Sequence, residues 1–186
     1  MGEVEEQVPE SGAVFTFGKS KFAENIPSKF WFKNDTPLYI SCGDEHTAVV
    51  TDNGKLYMFG SNNWGQLGLG VKNTVNKPTC VKALKPEKVK IAACGRNHTL
   101  VFTEDGQLFM WGDNSEGQIG LADESNLCSP CQVDVGRPVS WVSCGYYHSA
   151  LVTSDGELYT FGEPEYGKLG LSPEQLENSR VPQLVP

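Results

Sequence analysis

The chain has 186 residues, with 15 Lys and Arg against 23 Asp and Glu, and so a formal net charge of −8. Nothing in so acidic a chain offsets repulsion from phosphate backbones or anionic lipid, so neither nucleic acid nor direct membrane insertion is expected. Nine Phe, six Tyr and four Trp supply apolar payload that a disordered chain lacks, and the 20 Gly fall in no collagen-like triplet.

Residues 1–12 read as a flexible acidic N-terminus. Met1-Gly2-Glu3-Val4-Glu5-Glu6 has no apolar core for a signal peptide, and Glu6 stands where myristoylation wants Ser or Thr. No apolar run is long enough to span a bilayer, and Leu184-Val185-Pro186 offers no prenylation cysteine. The expected compartment is cytoplasmic, where the six cysteines are reduced thiols. Without secretion, the glycosylation-like triplets Asn34-Asp35-Thr36 and Asn97-His98-Thr99 lose their meaning.

Val14-Phe15-Thr16-Phe17 is the first predicted strand, read as the last strand of a partial blade. Next comes Cys42-Gly43-Asp44-Glu45-His46-Thr47, which recurs as Cys94-Gly95-Arg96-Asn97-His98-Thr99 after 52 residues, and as Cys144-Gly145-Tyr146-Tyr147-His148-Ser149 after a further 50. Asn53-Gly54, Asp105-Gly106 and Asp155-Gly156 keep step. So do Phe59-Gly60, Trp111-Gly112 and Phe161-Gly162, then Gly65-Gln66-Leu67-Gly68-Leu69, Gly117-Gln118-Ile119-Gly120-Leu121 and Gly167-Lys168-Leu169-Gly170-Leu171. Four landmarks in one order, three times over, define a repeat protein.

Within each unit, apolar β-rich runs flank a two-residue Asn-Gly or Asp-Gly, which predicts a hairpin with a type I′ turn. Segments 89–94 and 139–144 are further strands ending at a glycine. A weaker segment, 78–81, 130–133 and 182–185, makes a fourth strand. No segment has helical periodicity. Four strands in about fifty residues, repeated, predict an all-β chain of β-propeller blades. The units are 38–90, 91–140 and 141–186, preceded by a partial blade at 13–37. The loop glycines predict tight turns or close approach between neighbouring blades.

His46, His98 and His148 share one slot and are expected to hydrogen-bond within their own blade. Cys42, Cys94 and Cys144 share another and are expected to be small core residues. Cys128-Ser129-Pro130-Cys131 has metal or redox spacing, but a zinc site needs a second ligand pair and a redox motif a helix start. The expected place for this segment is a connection between strands. No catalytic constellation, cofactor site or metal site is read. Residues that vary within a repeated motif are free of the scaffold's demand, and there binding specificity can reside. They are Asp44, Glu45, Arg96, Asn97, Tyr146 and Tyr147 beside the histidine, and Trp64, Glu116 and Tyr166 before the repeated glycine. These nine are the candidate partner contacts.

The CG-x-x-H-[ST], DG-x-[LV]-[YF]-x-[FW]G and GQLGL pattern resembles the regulator of chromosome condensation (RCC1) repeat, across 13–186. The resemblance implies a seven-bladed propeller and protein partners. Ser11-Gly12-Ala13-Val14-Phe15-Thr16-Phe17-Gly18-Lys19-Ser20-Lys21-Phe22 and Trp111-Gly112-Asp113-Asn114-Ser115-Glu116-Gly117-Gln118-Ile119-Gly120 resemble the family's ciliary members. From these follow an expected place at the cilium, basal body and cytoskeleton, and a role in ciliary trafficking and photoreceptor maintenance. The leading expectation is an interaction scaffold for ciliary proteins. The alternative is guanine-nucleotide exchange on a small GTPase, by a wedge that loosens Mg²⁺ and phosphate contacts. Seven blades need roughly 350 residues, so the chain looks like a truncated form or fragment. It is expected to stop in the first strand of a new unit, about four blades early. The joint near Leu100-Val101-Phe102 is expected to skip one in-phase repeat of the longer members. Uncovered blade faces then predict self-association.

Overall fold

A computed structural model describes residues 8–18, 28–122 and 125–186. Residues 1–7 of the acidic N-terminus, and 19–27 within the expected partial blade, lie outside it. The first sheet comprises β1 (Val14–Thr16) and β2 (Ser28–Phe30). Three four-stranded antiparallel sheets follow, each ordered as the chain runs. Sheet one holds β3 (Pro37–Cys42), β4 (His46–Thr51), β5 (Leu56–Gly60) and β6 (Val75–Cys80). Sheet two holds β7 (Val89–Cys94), β8 (His98–Thr103), β9 (Leu108–Gly112) and β10 (Leu127–Val133). Sheet three holds β11 (Val139–Cys144), β12 (His148–Thr153), β13 (Leu158–Gly162) and β14 (Gln183–Leu184). The architecture is an incomplete β-propeller.

The hairpin turns differ from expectation. Thr51 N donates to Lys55 O at 3.0 Å and Gly54 N to Thr51 O at 3.0 Å, closing a three-residue loop. Only Gly54, at φ 74°, is left-handed, and Asn53 is not. A type I′ turn needs positive φ at both central residues, whereas this loop needs it at the glycine alone and spares the side-chain-bearing residue. Thr103 with Gln107 and Thr153 with Glu157 repeat the arrangement.

Apolar residues at alternate strand positions bury each sheet against its neighbour. Ala48, Val50, Leu56 and Met58 meet Ala92, Cys94, Val101 and Trp111 between sheets one and two. Leu100, Phe102, Leu108 and Met110 meet Val142, Leu151 and Phe161 between sheets two and three. Full burial of one such side chain is worth roughly 1.5–3 kcal/mol. The second strands record the coverage. All six residues of β8 are buried, whereas in β12 Ser149, Leu151 and Thr153 are buried and His148, Ala150 and Val152 are only partly so. Sheet two is therefore covered on both faces, and sheet three on one.

Four expectations need correction. The partial blade has two strands rather than one, and β1 corresponds to the third strand of a unit. Ser28-Lys29-Phe30 carries none of the apolar pattern of the other fourth strands; its anchor is Phe30, edge-on to Phe32 and Phe59. The chain stops in a fourth strand, since β14 pairs with β13, rather than in the first strand of a new unit. Cys128 and Cys131 lie on β10, not in a connection, where the register shifts between Leu127 and Cys131. One helical turn does form, α1 (Pro173–Leu176), too short to show a period; Ser172 and Gln175 cap it reciprocally.

Candidate functional site

Antiparallel register decides which loops share an end of the sheets. His46 pairs with Gly60, His98 with Gly112 and His148 with Gly162. The turn before each histidine and the loop after each glycine therefore meet. Ser61 N donates to Glu45 O at 2.8 Å, Asp113 N to Asn97 O at 2.9 Å and Glu163 N to Tyr147 O at 3.0 Å. All nine variable positions thus sit at one end of the molecule.

Four of them form a single cluster. The Arg96 guanidinium lies 4.7 Å from the Tyr146 ring centroid and 5.3 Å from that of Tyr147. It donates to the Tyr147 hydroxyl and stands 3.9 Å from an Asp44 carboxylate oxygen. Arg96 N also donates to Tyr146 O at 3.1 Å. Three sheets contribute to the patch, and Tyr146 is half exposed. Glu45 is exposed and Asn97 partly buried beside it, while Trp64, Glu116 and Tyr166 stand on the loops after β5, β9 and β13. A guanidinium on aromatic faces with one exposed carboxylate binds and orients; it supplies no nucleophile.

Those loops are built by the Gln of the repeated Gly-Gln-Leu-Gly landmark together with an Asn that repeat comparison did not single out. Asn62 is fully buried, donates to Val71 O at 2.7 Å and Asn73 O at 3.0 Å, and accepts from Leu67 N at 3.1 Å. Gln66 Oε1 accepts from Trp64 N at 2.9 Å. Asn114 and Gln118 do the same work in sheet two, accepting from Ile119 N at 3.3 Å and Glu116 N at 2.8 Å. In sheet three Pro164 and Lys168 replace the Asn and Gln. Lys168 Nζ instead donates to Glu163 Oε1 at 2.7 Å and Glu165 O at 3.0 Å. Tyr166 is left 94 % exposed at φ 67°, a backbone conformation that costs a residue with a Cβ on the order of 1 kcal/mol or more.

The histidines reach across, not within. His46 Nε2 lies 3.0 Å from Thr99 Oγ1, and His98 Nε2 lies 2.9 Å from Ser149 Oγ, each on the following sheet. Thr99 donates its one proton to Gln66 O at 2.7 Å, and Ser149 to Gln118 O at 2.6 Å. Each hydroxyl proton being used, Nε2 is the donor, and burial, with no partner at Nδ1, keeps both rings neutral. Those Nδ1 atoms are buried without partners, each ring lying over the glycine of its own turn. A Cβ at Gly95 would overlap the His98 ring. Burial pushes His46 down to about 4 and His98 to about 3. The acceptor is the Thr or Ser directly after the next histidine, so the H-[ST] pair was its sequence signal. Cys94 and Cys144 face the other way; of the three expected core cysteines Cys94 alone is buried, Cys144 is partly buried and Cys42 is exposed. Cys94 Sγ reaches Ser41 O at 3.7 Å and Cys144 Sγ reaches Ala93 O at 3.6 Å. Burial pushes the Cys94 thiol up to about 12 and raises that of Cys144. Among the described residues no three His, Cys, Asp or Glu gather as metal ligands.

The regulator of chromosome condensation (RCC1) repeat matches residues 53–102, 105–152 and 155–186, and a second description of the same repeat matches 39–66, 89–118 and 139–168. The chain belongs to the RCC1 repeat family. Among RCC1-repeat relatives, the X-linked retinitis pigmentosa GTPase regulator of Canis lupus familiaris is 60 % identical over 194 residues, covering 76 % of this chain and 19 % of the relative. The Homo sapiens protein of the same name is 60 % identical over 195, covering 76 % and 19 %. Protein RCC2 of Mus musculus is 43 % identical over 97 residues, covering 51 % and 19 %. The chain thus spans about a fifth of the length of these relatives. Of 186 residues, 76 % is about 141, some 53 short of the 194 matched positions, so the first relative carries about one repeat more inside the match. Prp20p of Saccharomyces cerevisiae superposes with a TM-score of 0.81 at 21 % identity, covering 96 % of this chain and 47 % of that one, which shows the fold. Human WBSCR16 superposes with a TM-score of 0.79 at 27 % identity, covering 88 % and 41 %.

Proposed function

We propose that the chain is a protein-interaction scaffold whose contact surface is the loop end of its blades. One observation carries this reading: register gathers at a single end all nine positions that vary within the repeat. Arg96 organises the centre of that surface, and Trp64 and Tyr166 project from its loops as aromatic anchors of the kind that dominate interface energies. Its proposed partners are ciliary trafficking proteins and its proposed place of action the cilium, basal body and cytoskeleton, as the sequence resemblance of segments 11–22 and 111–120 implies. Copies of the chain also pair through their uncovered sheet faces.

A second reading is nucleotide exchange on a small GTPase, favoured by the relatives' name of GTPase regulator. A protein wedge suffices for exchange, without an acid–base pair. The test is capture of ciliary proteins by the wild-type chain and by Arg96→Ala/Tyr146→Ala, alongside release of fluorescent nucleotide from candidate small GTPases. Scaffolding predicts capture that the double variant weakens at least about tenfold, with nucleotide release unchanged. Equal capture by both chains overturns the assigned surface, and accelerated release moves the assignment to exchange.

A further inference from the structure

Sheet one runs away from the loop end along β6, because Gly60 pairs with Val75 and Tyr57 with Cys80. The connection to sheet two therefore lies at the far end of the molecule, and it is rich in lysine. Lys82, Lys85, Lys88 and Lys90 are all exposed, with Glu87 the one carboxylate among them. None of the four makes an ion pair among the described residues. Their backbone is held firmly. Val81 and Leu84 are buried anchors, and Lys85 N donates to Lys82 O at 3.1 Å in a 3₁₀ turn. Residues three apart eclipse in such a turn, so Lys82 and Lys85 project side by side. Lys88 is seated over Gly54, and its carbonyl accepts from Glu104 N at 2.9 Å.

The fold does not demand these charges. The equivalent connection between sheets two and three reads Asp134-Val135-Gly136-Arg137-Pro138, and its cation is tied to Asp155 at 3.7 Å. A row of unneutralised lysines on a rigid turn, in a chain of net charge −8, is a local inversion of the molecule's field. We propose that residues 81–90 form a docking ridge for a carboxylate-rich segment of a partner protein. The surroundings select a short acidic segment over a larger polyanion. Asp52, Glu104, Asp105, Asp134, Asp155 and Glu157 lie in the turns and connection of the same end. A duplex or an anionic bilayer would run over those carboxylates. Repulsion from those carboxylates falls off over roughly 8 Å at physiological salt, so a short segment on the ridge meets fewer of them than a long polyanion does.

The probe is a fluorescein-labelled poly-glutamate peptide, read by anisotropy with the full 186-residue chain at low and physiological salt. Lys85→Glu is set against Lys72→Glu, an equal change of net charge at the loop end. The expected result is binding that Lys85→Glu weakens about fivefold or more and Lys72→Glu by less than about twofold. Lys82→Glu/Lys85→Glu/Lys88→Glu abolishes it. All these lysines are exposed, and circular dichroism checks that each variant is folded. Absence of binding at low salt, equal weakening by Lys85→Glu and Lys72→Glu, or tighter binding to duplex DNA or phosphatidylserine vesicles than to the peptide would each overturn the proposal.

Discussion

A proton added to His46 or His98 must go onto Nδ1, because Nε2 already donates to the next sheet, and Nδ1 is buried with no acceptor. Both rings therefore stay neutral, at about 4 and about 3 against 6.5 when unfolded. The sign follows. Above pH 6.5 both states are neutral and stability is full. Below it the unfolded chain takes up protons that the folded chain refuses, so stability falls until the folded values are reached. Between pH 7.5 and 5 the loss is roughly 2 kcal/mol per histidine. His148, half-buried and also shifted down, adds in the same direction. Urea midpoints at pH 8.5, 7.5 and 5 check this: the first two should agree and the third should be lower. A midpoint unchanged at pH 5 contradicts the neutral-histidine joint.

Each joint belongs to a pair of second strands, and β12 shows what a second strand is like with no following sheet. His98 is fully buried with a hydroxyl partner, whereas His148 is partly exposed. His98→Ala should cost about 2–4 kcal/mol in chemical denaturation and His148→Ala less than about 1 kcal/mol. Equal losses would mean that the hydrogen bond across sheets is not what the histidine contributes. The same elements show what could be read beforehand. β7 and β11 were legible to the residue because β-rich, largely apolar runs end at a glycine. β2 was not, because Ser-Lys-Phe has no alternation and owes its place to one aromatic ring. The reach of the histidine was hidden because its partner lies 53 residues on for His46 and 51 for His98, and spacing along a strand says nothing of which neighbour a side chain faces. The variable slots could be picked out one by one, but their meeting around Arg96 depends on the turns of three sheets, which no single segment encodes.

At the scale of the molecule, apolar surface is left on both outer faces. Ile40 of β3 is 54 % exposed and Cys42 is exposed, while Ala92 and Cys94, which hold their positions in sheet two, are buried. On the opposite face Leu158 is 39 % exposed where Leu56 and Leu108 are 1 %. Apolar side chains left exposed on open sheet faces drive association. Light scattering of the 186-residue chain should give a mass above the monomer that rises with concentration, and Ile40→Lys/Leu158→Lys should return it toward the monomer. A monodisperse wild-type monomer at high concentration rejects the pairing.

The histidine and the hydroxyl that receives its neighbour's proton are adjacent in the chain, as His98-Thr99 and His148-Ser149. Every blade thus carries both halves of the joint, one aimed forward and one back, and every joint has the same gauge. Loss of a whole repeat, cut and rejoined in phase, brings together two halves that still match. The shortfall of about 53 positions against the first relative is of that size. A row of blades jointed this way can lose a whole unit and still match at every joint.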